Sequence, residues 1–314
     1  MQKIIFTYPS SDGRTNIKAI KYLPDQNIKA IVQVSHGMVE FFERYEDFAL
    51  FLNQRGILVV GNDHLGHGDS VVDESEWGYF GKEKGYLNVL NDLHTLTLMI
   101  KAEYPDVPIF LLGHSMGSFF ARRYLFTFKD ELDGAIIMGT GYKDKMTLIG
   151  GKLLIKIMML FKNDHYRSKL INSIALGSYN KKWEPSKTHN DWLTKDAEIV
   201  NWYSSQKKCS FIFTLNGFYN LFSVLEDVCD KDNIKNMKKS LPVFFVAGED
   251  DPVGDFSKGV LKVIKMFKEA GMEKVTYKFY PNDRHEILNE TDKEVVKQDI
   301  YNFIESVIKR PEIE

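Results

Sequence analysis

Ser115 stands between two glycines in Gly113-His114-Ser115-Met116-Gly117. The apolar run Ile109 to Leu112 precedes it, and an apolar helical stretch follows at once. A G-x-S-x-G pattern between a strand and a helix holds its serine at the tip of a sharp turn, and the flanking glycines leave room for the backbone there. The N-terminal amides and dipole of the following helix would face any oxyanion formed at the serine. A purely structural turn is the alternative. The strand before and the helix after favour Ser115 as a candidate nucleophile.

A serine hydroxyl is a poor nucleophile alone. It needs a histidine to take its proton and a carboxylate to orient and balance the imidazole. On strand-to-helix turns of this kind the partners follow in the order Ser, Asp, His, past the ends of later strands. The run Val243 to Ala247 leads into Gly248-Glu249-Asp250-Asp251-Pro252, and Val275 to Tyr280 leads into Pro281-Asn282-Asp283-Arg284-His285. His285 is the candidate base, because His165 and His189 fall in a region without strand pattern. Asp250 and Asp251 are both candidates for the acid, and either could instead cap a helix over about 256–270. An oxyanion hole needs two amides: one from Met116, after the nucleophile, and one from the loop after an earlier strand. Met38, in His36-Gly37-Met38 after the run Ala30 to Val34, fits the second place.

Strands must position these groups. Residues 2–9, Thr15 to Tyr22, Ala30 to Val34, Ile57 to Val60, Ile109 to Leu112, Ala135 to Met138, 242–247 and 275–280 read as strands. Helical spacing marks Tyr45 to Gln54, Leu87 to Ile100, the stretch after Ser115 and Lys293 to Ile308. Continuous apolar strands alternating with amphipathic helices predict an α/β fold, a mainly parallel sheet covered on both faces. The rhythm breaks after Gly141, and about a hundred helical or irregular, aromatic-rich residues follow. That stretch reads as an insertion into one domain.

These stretches resemble the monoacylglycerol lipase and lysophospholipase branch of the α/β-hydrolase superfamily. The likeness lies in His36-Gly37-Met38-Val39-Glu40 with Arg44-Tyr45, in Asp63-His64-Leu65-Gly66-His67-Gly68-Asp69-Ser70, in the turn at Ser115, and in the block before Pro252-Val253-Gly254. The resemblance implies an eight-stranded core over 1–141 and 241–314, with a helical cap at 142–240 inserted after the sixth strand. Its Gly-x-x-Asp-Pro pattern, laid on Gly248 to Pro252, selects Asp251 as the acid. It implies a serine ester hydrolase working through an acyl-enzyme on a small lipid-like ester, a monoacylglycerol or lysophospholipid, with no metal or organic cofactor. Ser204 to Cys209 departs from the family pattern, in the region expected to shape the acyl pocket.

The remaining signals set bounds. Over 314 residues the formal charge is −2, which offers no basic surface for nucleic acid. Two distant cysteines and no apolar leader predict a reduced, cytoplasmic setting. His64 and His67 lie in a Gly-rich loop without a third ligand cluster, so a metal is not expected. Leu148 to Phe161 is too short and too interrupted by lysines to span a bilayer. It reads chiefly as a cap helix packed on the core, with a minority of its residues lining an acyl pocket, and transient membrane-surface contact is a further expectation. The oligomeric state is left open. The alternatives are a peptidase of the proline iminopeptidase type, which needs an acidic group to bind a free amine, and a non-catalytic ligand sensor. Ser at the turn, where dehalogenases and epoxide hydrolases need Asp, disfavours both of those.

Overall fold

The computed structural model describes residues 1–83 and 85–309; Lys84 and 310–314 of the expected core lie outside the described residues. The strands are β1 (Gln2–Pro9), β2 (Asn16–Leu23), β3 (Ala30–Ser35), β4 (Ile57–Asn62), β5 (Ile109–His114), β6 (Gly134–Met138), β7 (Val243–Gly248) and β8 (Val275–Tyr280). They form one sheet in the order β1-β2-β4-β3-β5-β6-β7-β8. The pairs β1–β2 and β2–β4 are antiparallel, and every pairing from β4 through β8 is parallel. Strand order reverses at β3, so the loops after β3 and β5 open side by side at the carboxyl end of the sheet, where such folds form their crevice.

The helices are α1 (Glu46–Asn53), α2 (Tyr86–Glu103), α3 (Met116–Thr127), α4 (Lys145–Phe161), α5 (Lys169–Leu176), α6 (Ala197–Ser205), α7 (Leu215–Cys229), α8 (Lys231–Ile234), α9 (Lys258–Glu269) and α10 (Lys293–Ile308). Every residue of β3, β5 and β7 is buried, as central strands covered on both faces require. Side chains alternate across the pleat and feed two cores. Ile31, Leu111, Ile137 and Phe245 meet Leu93 of α2, Phe120 of α3 and Ile264 of α9 on one face. Val32, Leu112, Ile136 and Val246 meet Phe48 and Leu52 of α1 and Ile300 and Ile304 of α10 on the other. On α9 the spacing Val260, Val263, Ile264, Phe267 lays one buried stripe on the sheet.

The chain between β6 and β7 carries α4 to α8. Side chains of Asp144, Ser168, Asp196 and Thr214 accept the first free amides of α4, α5, α6 and α7, so each start is set locally. The expectation that α4 is mostly packed on the core is corrected. Of its residues only Leu148 and Ile155 are fully buried. Leu154, Met158 and Met159 are partly covered. Met146, Leu153, Ile157, Leu160 and Phe161 are exposed, Phe161 at 80%. The helix has one stripe against α7 and a second apolar stripe that nothing among the described residues covers.

Candidate active site

Ser115 lies between β5 and α3 with φ 53° and ψ −121°. Only tight neighbours hold a non-glycine residue there. The packing shows which neighbours these are. A Cβ on Gly117 would come within 1.9 Å of the Ser35 carbonyl oxygen, and one on Gly113 within 2.5 Å of the Gly117 carbonyl. The flanking glycines therefore let α3 press onto the end of β3, and Ser115 is forced outward. It is half-buried, whereas Met116 beside it is buried.

The structure brings His285 and Asp251 together from the loops after β8 and β7. Asp251 Oδ1 accepts from His285 Nδ1 at 2.9 Å, and both residues are buried. The same carboxyl accepts the Val253 amide at 2.8 Å, which fixes its direction. Asp250 turns the other way and pairs with Lys182 at the surface. With Nδ1 carrying the shared proton, Nε2 of His285 is left as the free base. A Cβ on Gly139 would sit 3.1 Å from His285 Cε1, so the ring lies against the end of β6. No hydrogen bond joins Ser115 Oγ to His285 in this arrangement, a looseness common before substrate binds.

The loop after β3 runs against the serine: a Cβ on Gly37 would lie 3.1 Å from Ser115 Cβ. His36 Nδ1 donates to the Gly37 carbonyl at 2.8 Å, and His36 Nε2 accepts the His64 amide at 2.9 Å. That pattern requires neutral imidazole. Burial, which lowers the pKa of His36, favours it. Because a trans peptide is planar, fixing the Gly37 carbonyl also fixes the Met38 N–H, directed the opposite way. The Met38 and Met116 amides make no hydrogen bond among the described residues. His64 and His67 pack against His36, at 4.2 and 5.3 Å between ring centres, the second edge-on, and belong to this support.

Beneath the site lies a charged cluster: sequence reasoning expected His114 to pack or hydrogen-bond beside the nucleophile and placed Glu40 and Arg44 in a family motif, but did not bring them together. Glu40 accepts from the Gly37 amide, from Tyr45 Oη at 3.0 Å and from His114 Nδ1 at 3.0 Å. Arg44 bonds Glu40 at 2.6 Å and grips Glu286 at 2.8 and 2.6 Å. Burial opposes ionisation of Glu40, but Arg44 and His114 outweigh it and hold its carboxyl well below the usual range. Burial also opposes the charge on His114, and Glu40 outweighs it, so its pKa is raised. Its Nε2 points to the His285 carbonyl at 3.4 Å, so both ring nitrogens face acceptors. The available signals were the four-residue spacing of Glu40 and Arg44, and Glu286 next to His285.

The chain between β6 and β7 reaches the histidine directly. Trp192 packs at a tilt on His285 with ring centres 5.0 Å apart, and Glu286 N donates to the Leu193 carbonyl at 2.7 Å. Lys195 Nζ bonds Asp283 Oδ1 at 2.6 Å. Asp283, Glu290 and Asp292 form the one acidic cluster with metal-ligand spacing among the described residues, and Lys195 pairs with all three. An ammonium already sits among these carboxyl groups.

Comparison with known proteins follows from this geometry. The family described as Hydrolase_4, serine aminopeptidase S33, matches residues 26–292. A monoglyceride lipase homolog of Monkeypox virus is 42% identical over 90 residues, 29% of this chain and 30% of the relative. The chain spans 29–30% of the length of the viral and mammalian monoglyceride lipases matched in this way. A monoacylglycerol lipase of Mycolicibacterium smegmatis is 22% identical over 91% of each chain. Among solved structures, a thermostable carboxyl esterase from Bacillus coagulans, in complex with glycerol, superposes with TM-score 0.91 and 32% identity, covering 98% of this chain and 99% of that one.

Proposed function

We infer the reaction from a premise: this chain belongs to the Hydrolase_4 family, serine aminopeptidase S33, in the monoacylglycerol lipase-like branch of the α/β hydrolases. We propose that it is a serine ester hydrolase whose substrate is a monoacylglycerol. The observation that carries this reading is the His285–Asp251 bond beside a half-buried serine held at positive φ.

In this reading His285 Nε2 takes the Ser115 Oγ proton, and the oxygen attacks the ester carbonyl. The Met38 and Met116 amides hold the oxyanion. The protonated imidazole gives its proton to the departing alcohol, leaving an acyl-serine. Water, deprotonated by the same nitrogen, then releases the fatty acid and restores Ser115. Asp251 keeps the imidazole in the required tautomer and balances its charge. None of these steps calls on a metal or an organic cofactor.

Charge supports an uncharged head group. Arg44, the buried cation beneath the site, is already matched by Glu40 and Glu286, so it is not available to answer a lysophospholipid phosphate. The same pairing occupies Glu40 and Glu286, so neither is left to bind the free amine of a peptidase substrate. The insert, 142–240, acts as the cap. Its uncovered stripe on α4, with Leu170 and Ile174 of α5, meets the lipid surface that carries the substrate. Lys145, Lys156, Lys162 and Lys169 are exposed along the same two helices and favour an anionic surface. No described helix is long and apolar enough to cross a membrane.

The test is turnover across monoacylglycerols of rising acyl length, beside lysophosphatidylcholine and a prolyl anilide, with a fluorophosphonate probe to mark the nucleophile. Efficiency should rise with chain length at up to about 0.8 kcal/mol per buried methylene until the pocket is full. The probe should label Ser115. Turnover of the anilide but not the esters would overturn the substrate class, labelling elsewhere would overturn the mechanism, and labelling of Ser115 without turnover of any substrate would favour a sensor.

A further inference from the structure

Val39 has φ 57°. It is a β-branched residue in the left-handed region, which glycine and asparagine tolerate and valine does not. It directly follows Met38, whose amide is the proposed oxyanion donor. Such a conformation is strained, and it persists only where the surroundings over-determine it. One partner comes from the insert: Tyr203, on α6, donates its hydroxyl to the Val39 carbonyl at 2.8 Å. Tyr203 is buried in a small core with Phe41, Leu193 and Cys209, and its ring lies 4.8 Å from the Arg44 guanidinium.

We propose that Tyr203 is a positioning residue for the oxyanion hole, holding Val39 left-handed so that the Met38 amide stays aimed at the reaction centre. The inference rests on the ester-hydrolase reading and adds a role for the insert within the chemistry. The peptide before Met38 is fixed from the core, by His36 on the Gly37 carbonyl and Glu40 on the Gly37 amide. The carbonyl of Val39 is fixed from the insert. Without the Tyr203 bond, Val39 relaxes toward negative φ, turns the peptide that joins it to Met38, and pulls Met38 against the anchors on Gly37. The Met38 segment is then held from both sides only while α6 is seated on the core, and seating the insert and bracing the hole become one event.

The test uses the full chain and a soluble short-chain ester. Tyr203→Phe keeps the ring, its packing and its contact with Arg44, and loses only the hydroxyl. It should lower kcat about tenfold to a hundredfold, the scale of a small misplacement of a catalytic group, with KM little changed. Affinity for an alkyl boronic acid, whose tetrahedral adduct places an oxygen in the hole, should fall by a similar factor. Glycine needs no brace, so Tyr203→Phe should cost several-fold less in a Val39→Gly background than in the parent, a coupling read by the double-mutant cycle. Val39→Pro forces φ to about −65° with Tyr203 intact and should reproduce the kcat loss, which keeps the test open if Tyr203→Phe folds poorly. An unchanged kcat in Tyr203→Phe, an equal cost in both backgrounds, or a fully active Val39→Pro would each overturn the brace. If Ser115→Ala retains turnover, the ester-hydrolase reading itself fails, and that result is distinct from these.

Discussion

Arg44 and Glu286, 242 residues apart in the chain, face each other in a fork of two parallel hydrogen bonds at 2.8 and 2.6 Å, both side chains nearly fully buried. The pair ties the loop after β3, which carries Met38, to the loop that carries His285. Two functional loops from distant parts of the sequence share one charge pair, so their relative position does not depend on the sheet alone.

Arg44→Met should destabilise the protein strongly. Glu40 and Glu286 would stay buried without their counter-ion, a situation that costs about 3–5 kcal/mol. The measurement is the urea midpoint with the slope unchanged. A loss below roughly 1 kcal/mol, the scale of an exposed ion pair, would show that water reaches the cluster.

Asp251→Asn should lower kcat by about 10⁴-fold, because the tautomer of His285 and its charge partner are both lost. Asp250→Asn should change kcat less than about tenfold, since that carboxyl pairs with Lys182 away from the histidine. Steady-state kinetics on one ester settles the ranking. The reverse order would move the acid by one residue.

Asp92 supplies a pH test independent of catalysis. Burial raises its pKa from 3.8 to about 6, although Ser10 Oγ and the Ser11 amide donate to it at 2.7 and 2.6 Å. The fold therefore favours the protonated acid. Its stabilising contribution is full below the ordinary value near 3.8 and is lost as pH rises through about 6. Asp92→Asn cannot ionise, so its stability relative to the parent should grow between pH 4 and pH 7, by about 3 kcal/mol at most. Parallel pH profiles for the two proteins would contradict this.

The uncovered stripe of the insert predicts a separable loss. Leu160→Ser with Phe161→Ser should weaken sedimentation with anionic phosphatidylglycerol vesicles, each deleted contact contributing about 1.5–3 kcal/mol if fully buried in lipid. Turnover of a dissolved two-carbon ester should be unchanged, since both side chains point away from the core. Undiminished vesicle binding would leave that face without its proposed role.

Much of this protein was legible in the sequence because the signals were local. Period-two and continuous apolar runs marked the strands, helical spacing marked α1, α2 and α10, and glycines at 113 and 117 marked the strained turn at Ser115. Each of these is fixed by neighbours within a few residues, through sterics and side-chain periodicity. The choice between Asp250 and Asp251 was not local. Two adjacent side chains leave a loop in different directions, and only the paired positions of the loops after β7 and β8 decide which meets His285. The joining of Glu40, Arg44, His114 and Glu286 into one buried cluster was not legible either, because a charged residue reads as solvated until distant loops close over it. The same holds for the insert: the periodicity of α4 announced an apolar helix, but which stripe would be covered depended on where α7 packed. Tyr203 reaches Val39 across 164 residues, and no spacing in the chain foretells a bond made by folding alone.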